Sequence, residues 1–362
     1  MKKSKVFLWG MLAILLTLVF TSCQTAFGQQ MVDSIIWGGS PPTKTTNSTT
    51  EGDRTNNSTT ANNKTNNLAT GSNRTNAASD FMVNYDLMIK QGDSFVHIAV
   101  ITRYIGSRTD VNIPANIKSG EYIYPVIYIG DKAFANRRIT SVIIPDGVSR
   151  IGEEAFANNQ LTNVTIPNSV IIIGDLAFYN NQLTSVTISS NIISIGEGVF
   201  ANNQLTNVTI PNGVISIGKG AFGYNQLTNV TIPNSVRTIG EVAFYNNQLT
   251  SIPTSNITSI GEGVFAKNKF TNISIPNGVT RIGENAFADN PLTSITLPDS
   301  LIQLAANAFT GANNLTQIII GPNVNFTGNE LMTFNFRGAY QQNSLRAGTY
   351  TFTDGQWKVK FR

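Results

Sequence analysis

Few residues in this 362-residue chain are of types that do chemistry, because it contains only one cysteine and one histidine. A single residue of each type excludes multi-histidine and cysteine-rich metal sites, and it also excludes an internal disulfide bond. His97 lies in an alternating apolar stretch typical of a β-strand, so we interpret it as a structural residue. The sequence contains no phosphate-binding loop and no His-Glu-x-x-His motif.

Carboxylates are the remaining candidates for catalysis or Ca²⁺ binding. They recur every 22 or 21 residues at one repeat position, which is occupied by Asp131, Glu153, Asp175, Glu197, Glu241, Glu262 and Glu284. In one coil the same position is Lys219. An active site needs a unique arrangement, whereas these residues form a repeating column that includes a lysine. We therefore expect each acid to open a helical turn and to complement its dipole. The prediction is a protein that is not an enzyme and has no cofactor and no metal.

Residues 1–22 are typical of an export signal of the lipoprotein type. Lys2, Lys3 and Lys5 precede an apolar run that ends at Phe20. The segment Phe20-Thr21-Ser22-Cys23 resembles a bacterial lipobox, which implies that Cys23 is acylated and anchors the chain to a membrane. The alternative is ordinary secretion, with cleavage after Gly28.

Residues 23–80 are predicted to form a flexible stalk. From Thr43 to about Asp80 the chain consists almost entirely of Thr, Asn, Ser, Ala and Gly. Such a tract buries too little apolar surface to offset the entropy lost on ordering.

The charge of the folded part argues against nucleic-acid partners. The net charge is +4, and the three leader lysines account for most of it. The remainder is nearly neutral, so counterion release from nucleic acid could not drive binding.

An internal repeat fills residues 126–328. Its most regular mark is a phenylalanine spaced by 22 residues, with one step of 21, at positions 134, 156, 178, 200, 222, 244, 265, 287 and 309. Fixed apolar positions at this period indicate a solenoid. One unit runs from Ile166 to Thr187.

Each repeat position predicts a local structure. Leu183, Val186 and Ile188 indicate a short strand with alternate residues pointing inward. The glycine of each unit, such as Gly174, is expected to adopt a turn that a Cβ would strain. The following Ala-Phe pair should begin a short helical or 3₁₀ segment, with each phenylalanine stacked on the next. The 21-residue step at 249–253 predicts a distorted strand and a kink.

Asparagines are expected to bond to the backbone at a bend between the phenylalanine and the next leucine. The candidates are Asn158, Asn180, Asn202, Asn225, Asn246, Asn268, Asn290 and Asn313.

The unit I-P-x-x-V-x-x-I-G-x-x-A-F resembles the BspA-like family of bacterial leucine-rich repeats. The resemblance implies a mainly β fold with short helical or 3₁₀ turns, a right-handed solenoid of about nine 22-residue coils. Residues 81–125 resemble an N-terminal cap with degenerate first coils, and residues 329–362 an aromatic C-terminal cap. Within that cap, alternation over 349–361 predicts a hairpin with Asp354-Gly355 as its turn. Members of the family are mostly cell-surface proteins implicated in adhesion.

Three sets of outward positions are candidate binding surfaces. The first is a polar strand face, represented by Asn207, Thr209, Asn229 and Thr231; the alternative is a ladder of residues that merely suit a strand. The second is an isoleucine patch at Ile171, Ile193 and Ile215, unless packing covers it. The third is formed by Tyr179, Tyr224 and Tyr245, which replace an alanine found in other coils; they are either interface anchors or plain packing.

These features together predict a lipid-anchored binding protein at the bacterial outer membrane or cell surface. Its partners would be host proteins, host cells or other bacteria, and possibly glycans. The alternatives are a structural envelope or periplasmic scaffold protein and a secreted glycan-binding protein.

Overall fold

The computed structural model describes residues 76–91, 94–252, 256–328 and 335–362. By their contacts, residues 86–98 belong to one compact unit, and residues 76–85 and 99–362 belong to a second unit that holds the repeat. The leader, Cys23 and the predicted stalk up to residue 75 lie outside the described residues.

The N-terminal elements precede the repeat. They are a 3₁₀ turn (Ala78–Asp80), β1 (Phe81–Gln91), β2 (Ser94–Tyr104), β3 (Asp110–Asn112), β4 (Asn116–Ser119) and β5 (Tyr122–Ile129). β4 and β5 pair antiparallel, whereas Ala99–Ile101 of β2 pairs parallel with β5. β5 also pairs parallel with the two-residue strand formed by Arg150 and Ile151 in the first regular coil. The parallel stacking of coils therefore begins before the repeat becomes regular.

Every described coil except the one at 249–252 contributes one strand of three or four residues to what we call the leucine-strand face. These strands are β6 (Ser141–Ile143), β8 (Asn163–Thr165), β10 (Ser185–Thr187), β12 (Asn207–Thr209), β14 (Asn229–Thr231), β17 (Asn272–Ser274), β19 (Ser294–Thr296) and β21 (Gln317–Ile320). The middle residue of each three-residue strand points into the core, and its two neighbours point outward. The predicted strand and its alternation are confirmed.

A second strand in each coil forms the short-strand face. These strands are β7 (Arg150–Ile151), β9 (Ile172–Ile173), β11 (Ser194–Ile195), β13 (Ser216–Ile217), β15 (Thr238–Ile239), β16 (Ser259–Ile260), β18 (Arg281–Ile282), β20 (Gln303–Ala305) and β22 (Asn325–Thr327). The paired ones run parallel, in register from one coil to the next. Parallel, in-register stacking makes this part of the chain a β-solenoid.

The third side of each coil, the turn face, runs through the residues around the Ala-Phe pair. Here the expected helical segment is a run of hydrogen-bonded turns instead. Alternate residues donate their N–H to the next coil, as Lys132 does to Glu153 at 2.8 Å and Phe134 to Ala155 at 2.8 Å. Lys132 and Asn136 have φ near +56° and +59°, so the backbone alternates in hand and does not continue as a helix.

Phenylalanine rings run through the solenoid as one continuous stack. Nine rings from Phe134 to Phe309 lie with neighbouring centroids 4.9–5.8 Å apart and interplanar angles no greater than 24°. All are buried. The stacking predicted from the repeat is confirmed, and it links each coil to both of its neighbours.

In seven coils a buried asparagine closes the corner between the stacked phenylalanine and the start of the next leucine-strand segment. The residues are Asn159, Asn181, Asn203, Asn225, Asn247, Asn268 and Asn290. In Asn225, Nδ2 donates to the carbonyls of Phe200 and Phe222 at 2.9 and 3.1 Å, and Oδ1 accepts from the N–H of Leu205 at 3.0 Å. One side chain therefore satisfies backbone groups in two successive coils.

The sequence prediction of these asparagines was partly wrong. It is confirmed for Asn225, Asn268 and Asn290, but in four coils it selected the preceding residue: Asn158, Asn180, Asn202 and Asn246. Asn180, Asn202 and Asn246 are exposed and Asn158 is half-buried, and all four have φ between +52° and +57°. An asparagine pair occupies both positions there, and the left-handed residue and the buried residue cannot be distinguished by type, since asparagine suits both.

The repeat glycines are required for a reason other than the predicted one. Gly218 does not have a positive φ, but a Cβ on it would lie 2.6 Å from the backbone carbon of Gly196. Close approach of successive coils therefore excludes a side chain. After the 21-residue step the crowding is relieved, because a Cβ on Gly261 would be 3.7 Å from its nearest atom.

The 21-residue step interrupts the leucine-strand face. Ser251 and Ile252 are not in a strand, and Pro253 falls outside the described residues. The coil between β14 and β17 therefore has no strand on this face among its described residues. The expected distorted strand is confirmed for residues 251–252, and the expected kink stays a prediction.

The C-terminal elements close the last coil with aromatic side chains. They are α1 (Phe336–Gln342), β23 (Gly348–Thr353) and β24 (Gln356–Phe361). β23 pairs antiparallel with β21 and with β24, and Asp354 and Gly355 both have positive φ, as a two-residue type I′ hairpin turn requires. Phe336 lies at the centre of the aromatic cluster. Its ring centroid is 5.3 Å from that of Tyr350 and 5.1 Å from that of Trp357. Burial raises the pKa of Tyr350 to about 12.

Replacing a buried corner asparagine should destabilise the solenoid strongly. In Asn225→Ala, the buried Leu205 N–H loses its partner, and the Phe200 and Phe222 carbonyls each keep one of their two asparagine donors. The substitution should therefore lower the free energy of unfolding by roughly 2 kcal/mol. Gln226→Ala is the matched control, because Gln226 is adjacent and exposed. Urea unfolding monitored by circular dichroism measures both, and equal effects would contradict the assigned role.

The two glycine environments predict opposite outcomes for the same substitution. Gly218→Ala should lower the free energy of unfolding by about 2 kcal/mol, because the new methyl group meets backbone. Gly261→Ala should be neutral or slightly stabilising, since there is room for the methyl group and the unfolded chain loses entropy. Thermal unfolding of the two variants measures the difference.

Candidate binding surface

The leucine-strand face is an exposed, polar array. Asn207 lies directly opposite Asn229 in the parallel pair β12–β14, and Thr209 lies opposite Thr231. All four side chains are exposed. In equivalent positions of later coils, Ser294 donates to Asn272 at 2.7 Å, so neighbouring side chains on this face hydrogen-bond to each other. The array offers hydroxyl and amide groups without charge.

A threonine column at the entrance to this face was not singled out from the sequence. It comprises residues 140, 162, 184, 206, 228, 250, 271, 293 and 316. The Thr184 hydroxyl donates to the Thr162 carbonyl at 3.2 Å, and the Thr293 hydroxyl donates to the Thr271 carbonyl at 3.1 Å. These hydroxyls support the stacking of coils. Unbroken recurrence of one residue type was the signal that could have identified them.

A shallow groove of about 560 Å³ lies on the leucine-strand face at its N-terminal end. Ile143, Thr165 and Thr187 run along it, and its lining is completed by residues 142, 144, 146, 163 and 166–168. Ile143 is 51% exposed and occupies the position that is threonine in the next coils. This groove was not predicted from the sequence, because an isoleucine in a strand is ordinarily assigned to the core.

The isoleucine patch lies beside the short-strand face. Ile171 is 51% and Ile215 is 41% exposed, whereas Ile193 between them is partly buried. The Ile215 N–H donates to the Ile193 carbonyl at 2.8 Å, which places these residues on successive coils. Ile302, in the same column, is also exposed. The alternative that packing covers Ile171 and Ile215 is therefore excluded within the described residues.

The three tyrosines do not form one column, contrary to the prediction. Tyr179 and Tyr245 follow the repeat phenylalanine directly, but Gly223 intervenes before Tyr224. Tyr224 and Tyr245 are in edge-to-face contact, with centroids 5.2 Å apart, and Tyr179 lies two coils before Tyr224. Lys267 Nζ is 5.4 Å from the centroid of Tyr245, and hydrogen bonding to Tyr245 raises the pKa of Lys267.

Comparison with known proteins identifies the family. The model of the BspA type leucine-rich repeat region matches residues 127–250 and 243–336, in six copies. Those ranges cover more than half of the chain. The chain belongs to the BspA-type leucine-rich repeat family. No curated protein matches it.

Several solved structures are similar to this BspA-type chain. A leucine-rich cell surface protein from Faecalibacterium prausnitzii A2-165 is 25% identical over 73% of this chain and 97% of its own, with a TM-score of 0.27. A leucine-rich repeat protein from Bacteroides ovatus ATCC 8483 is 19% identical, with coverages of 67% and 88% and a TM-score of 0.35. The pneumococcal vaccine antigen PcpA is 17% identical, with coverages of 72% and 94% and a TM-score of 0.37.

The acidic column of the BspA-type repeat has a structural role other than the one expected. Its residues open turns and not helices, and some bond directly to the next coil. Asp131 Oδ1 accepts the N–H of Glu153 at 2.9 Å, and Asp175 Oδ1 accepts that of Glu197 at 2.7 Å. Lys219 lies 3.5 Å from Glu241 in an ion pair. These contacts connect neighbouring coils.

His97 is an exposed residue of β2. In the described ranges, no group of three or more His, Cys, Asp or Glu side chains is placed to hold a metal ion. No helix found there is long and apolar enough to cross a membrane.

The isoleucine patch should tolerate polar substitution. Ile171→Ser should change the free energy of unfolding by less than about 0.5 kcal/mol, because the side chain is half exposed and the preceding coil has Ser149 at this position. Ile173→Ser should cost more than about 2 kcal/mol, since Ile173 is only 6% exposed. Comparable losses in urea unfolding would show that the patch is part of the core.

Proposed function

We propose that this BspA-type chain is a lipid-anchored adhesin of the bacterial cell surface, which binds host proteins, host cells or other bacteria through its repeat. The observation that carries the proposal is the leucine-strand face, where hydroxyl and amide groups repeat in register across exposed parallel strands. The comparisons support the wider class, because they give the family and include a protein described as a cell surface protein.

A repeated polar face suits adhesion for a physical reason. Each position offers a modest contact, but equivalent positions recur from coil to coil. A partner that engages several positions gains avidity, since every contact after the first is effectively intramolecular. The groove at Ile143, Thr165 and Thr187 adds an apolar side chain to the same face. It is the place where an extended segment of a partner would gain buried apolar area.

The anchor completes the proposal. Acylation of Cys23 would hold the chain at the membrane, and residues 24–80 would separate the repeat from it. One acyl chain gives only marginal membrane binding, whereas the several chains of a bacterial lipoprotein anchor it stably. A periplasmic or envelope scaffold would share the fold and the anchor. It would differ in facing inward and in having no saturable partner outside the cell.

Adhesion should depend on the leucine-strand face and not on the net charge of the repeat. Cells that display the full chain should bind immobilised extracellular-matrix proteins or epithelial cells saturably, and Thr231→Lys should reduce binding at least about fivefold by placing a bulky charge in the polar array. Thr238→Lys is the matched control. It alters an exposed threonine of the same coil on the short-strand face, and binding should be retained.

The location of the protein is measured on the same cells. Mass spectrometry of the mature N-terminus should find an acylated Cys23, and protease added to intact cells should cleave the chain. A protected, acylated protein that binds neither surface would favour the scaffold. An N-terminus at Gln29 with the protein in the medium would rule out the anchor and favour a secreted binder.

A further inference from the structure

Tyr224 is the only aromatic residue within the described ranges that has a left-handed backbone conformation. It has φ +55° and is 54% exposed. The equivalent residues of other coils include the left-handed asparagines Asn158, Asn180, Asn202 and Asn246. A bulky aromatic in this conformation is unfavourable, whereas asparagine adopts it readily. Since the ring remains half exposed, burial in the core does not explain its presence.

The same residue also interrupts a ladder of hydrogen bonds. Asn180 Nδ2 donates to Asn158 Oδ1 at 2.8 Å, and Asn202 Nδ2 donates to Asn180 Oδ1 at 2.7 Å. The next coil has Tyr224 in place of the next donor, and the Oδ1 of Asn202 accepts no hydrogen bond from any residue in the described ranges. A residue that breaks a local rule twice while its ring stays half exposed is typical of a functional site.

The surroundings of Tyr224 form a small, mixed cluster on the turn face. Its ring meets that of Tyr245 at an interplanar angle of 60°, so the two present an angled aromatic surface. Lys267 lies beside Tyr245 on the following coil. Asn202 occupies the position of Tyr224 in the preceding coil, and Asn246 occupies it in the following coil. The exposed side chain of Asn246 has no hydrogen-bond partner within the described residues.

We propose that Tyr224 and Tyr245 form a carbohydrate-binding site that takes a pyranose oligosaccharide. The C–H groups on one face of a sugar ring carry partial positive charge and stack on the negative face of an aromatic ring. Tyrosine supplies that surface at little entropic cost, because its side chain has only two soft torsions. The Asn202 acceptor, the Asn246 amide and the Lys267 ammonium provide hydrogen-bond partners for the sugar hydroxyls.

The size of the cluster favours a sugar over a protein. A stable protein interface buries about 800 Å² on each partner. The aromatic surface here is limited to two rings from adjacent coils, and polar amides and a cation lie next to it. One or two sugar residues match that extent. The site lies on the turn face and does not depend on adhesion through the leucine-strand face.

Binding of the purified full chain to printed arrays of β-linked glucose, galactose and N-acetylhexosamine oligosaccharides tests the proposal. At least one glycan should bind saturably, and Tyr224→Asn should weaken it at least about tenfold. The unfolding midpoint of this variant should be unchanged or higher, because asparagine relieves the strain and can extend the ladder from Asn202. Loss of binding would then not result from unfolding.

Tyr179→Ala is the matched control, since it removes a tyrosine of the turn face from a coil outside the cluster. It should bind the glycan as the unaltered chain does. Absence of glycan binding by the unaltered chain would overturn the proposal, as would full binding by Tyr224→Asn or an equal loss in Tyr179→Ala. Thr231→Lys should leave glycan binding intact, so failure of the sugar site and failure of adhesion through the leucine-strand face are distinguishable.

Discussion

The structure depends on the hydrogen bonds that one coil makes with the next at its buried corner. Where the chain turns from the stacked phenylalanine toward the leucine strand, backbone groups point into the core and no strand ladder can satisfy them. Asn225 and its equivalents bond to these groups in two successive coils. Since an unpaired buried backbone group is costly, the corner asparagine fixes both the turn and the register of neighbouring coils. The regular spacing of every outward column follows from that register.

Repetition made much of this architecture predictable from the sequence. Nine phenylalanines at a spacing of 22 residues, with one step of 21, require equivalent environments, so the stack and the inward strand residues could be derived from single positions. The corner asparagines were harder, because Asn158 and Asn159 are the same residue type and only the backbone conformation distinguishes them. The glycines illustrate another limit. Their presence was evident, but Gly218 is required because Gly196 of the preceding coil lies against it. A local sequence pattern does not reveal how closely two coils approach.

The surfaces were predicted less well than the core. The residue at an outward position is selected to avoid unwanted contacts as well as to bind a partner. Residue type alone therefore could not decide between a binding surface and an ordinary exposed face. The isoleucine patch could be recognised only from the exposed fraction of each side chain. The groove at Ile143 could be recognised only from the stacking of three coils. Tyr224 is the clearest case. It was grouped with Tyr179 and Tyr245 because it lies close to Phe222, although its spacing of 22 residues from Asn202 and its positive φ place it at an asparagine position.

The antiparallel hairpin at the C-terminal end has a consequence for the evolution of the chain. A parallel solenoid exposes a growing edge at its last coil, and another chain could add to it as one more coil. β23 covers β21 in the opposite direction, and the outer strand β24 carries Lys358 and Lys360, charges that oppose further strand addition. Growth is thereby stopped at the end, while the interior remains modular. Gain or loss of whole 22-residue units by recombination between near-identical copies would change the reach of the molecule and preserve each contact within a unit, so its length can vary in evolution without redesign of the fold.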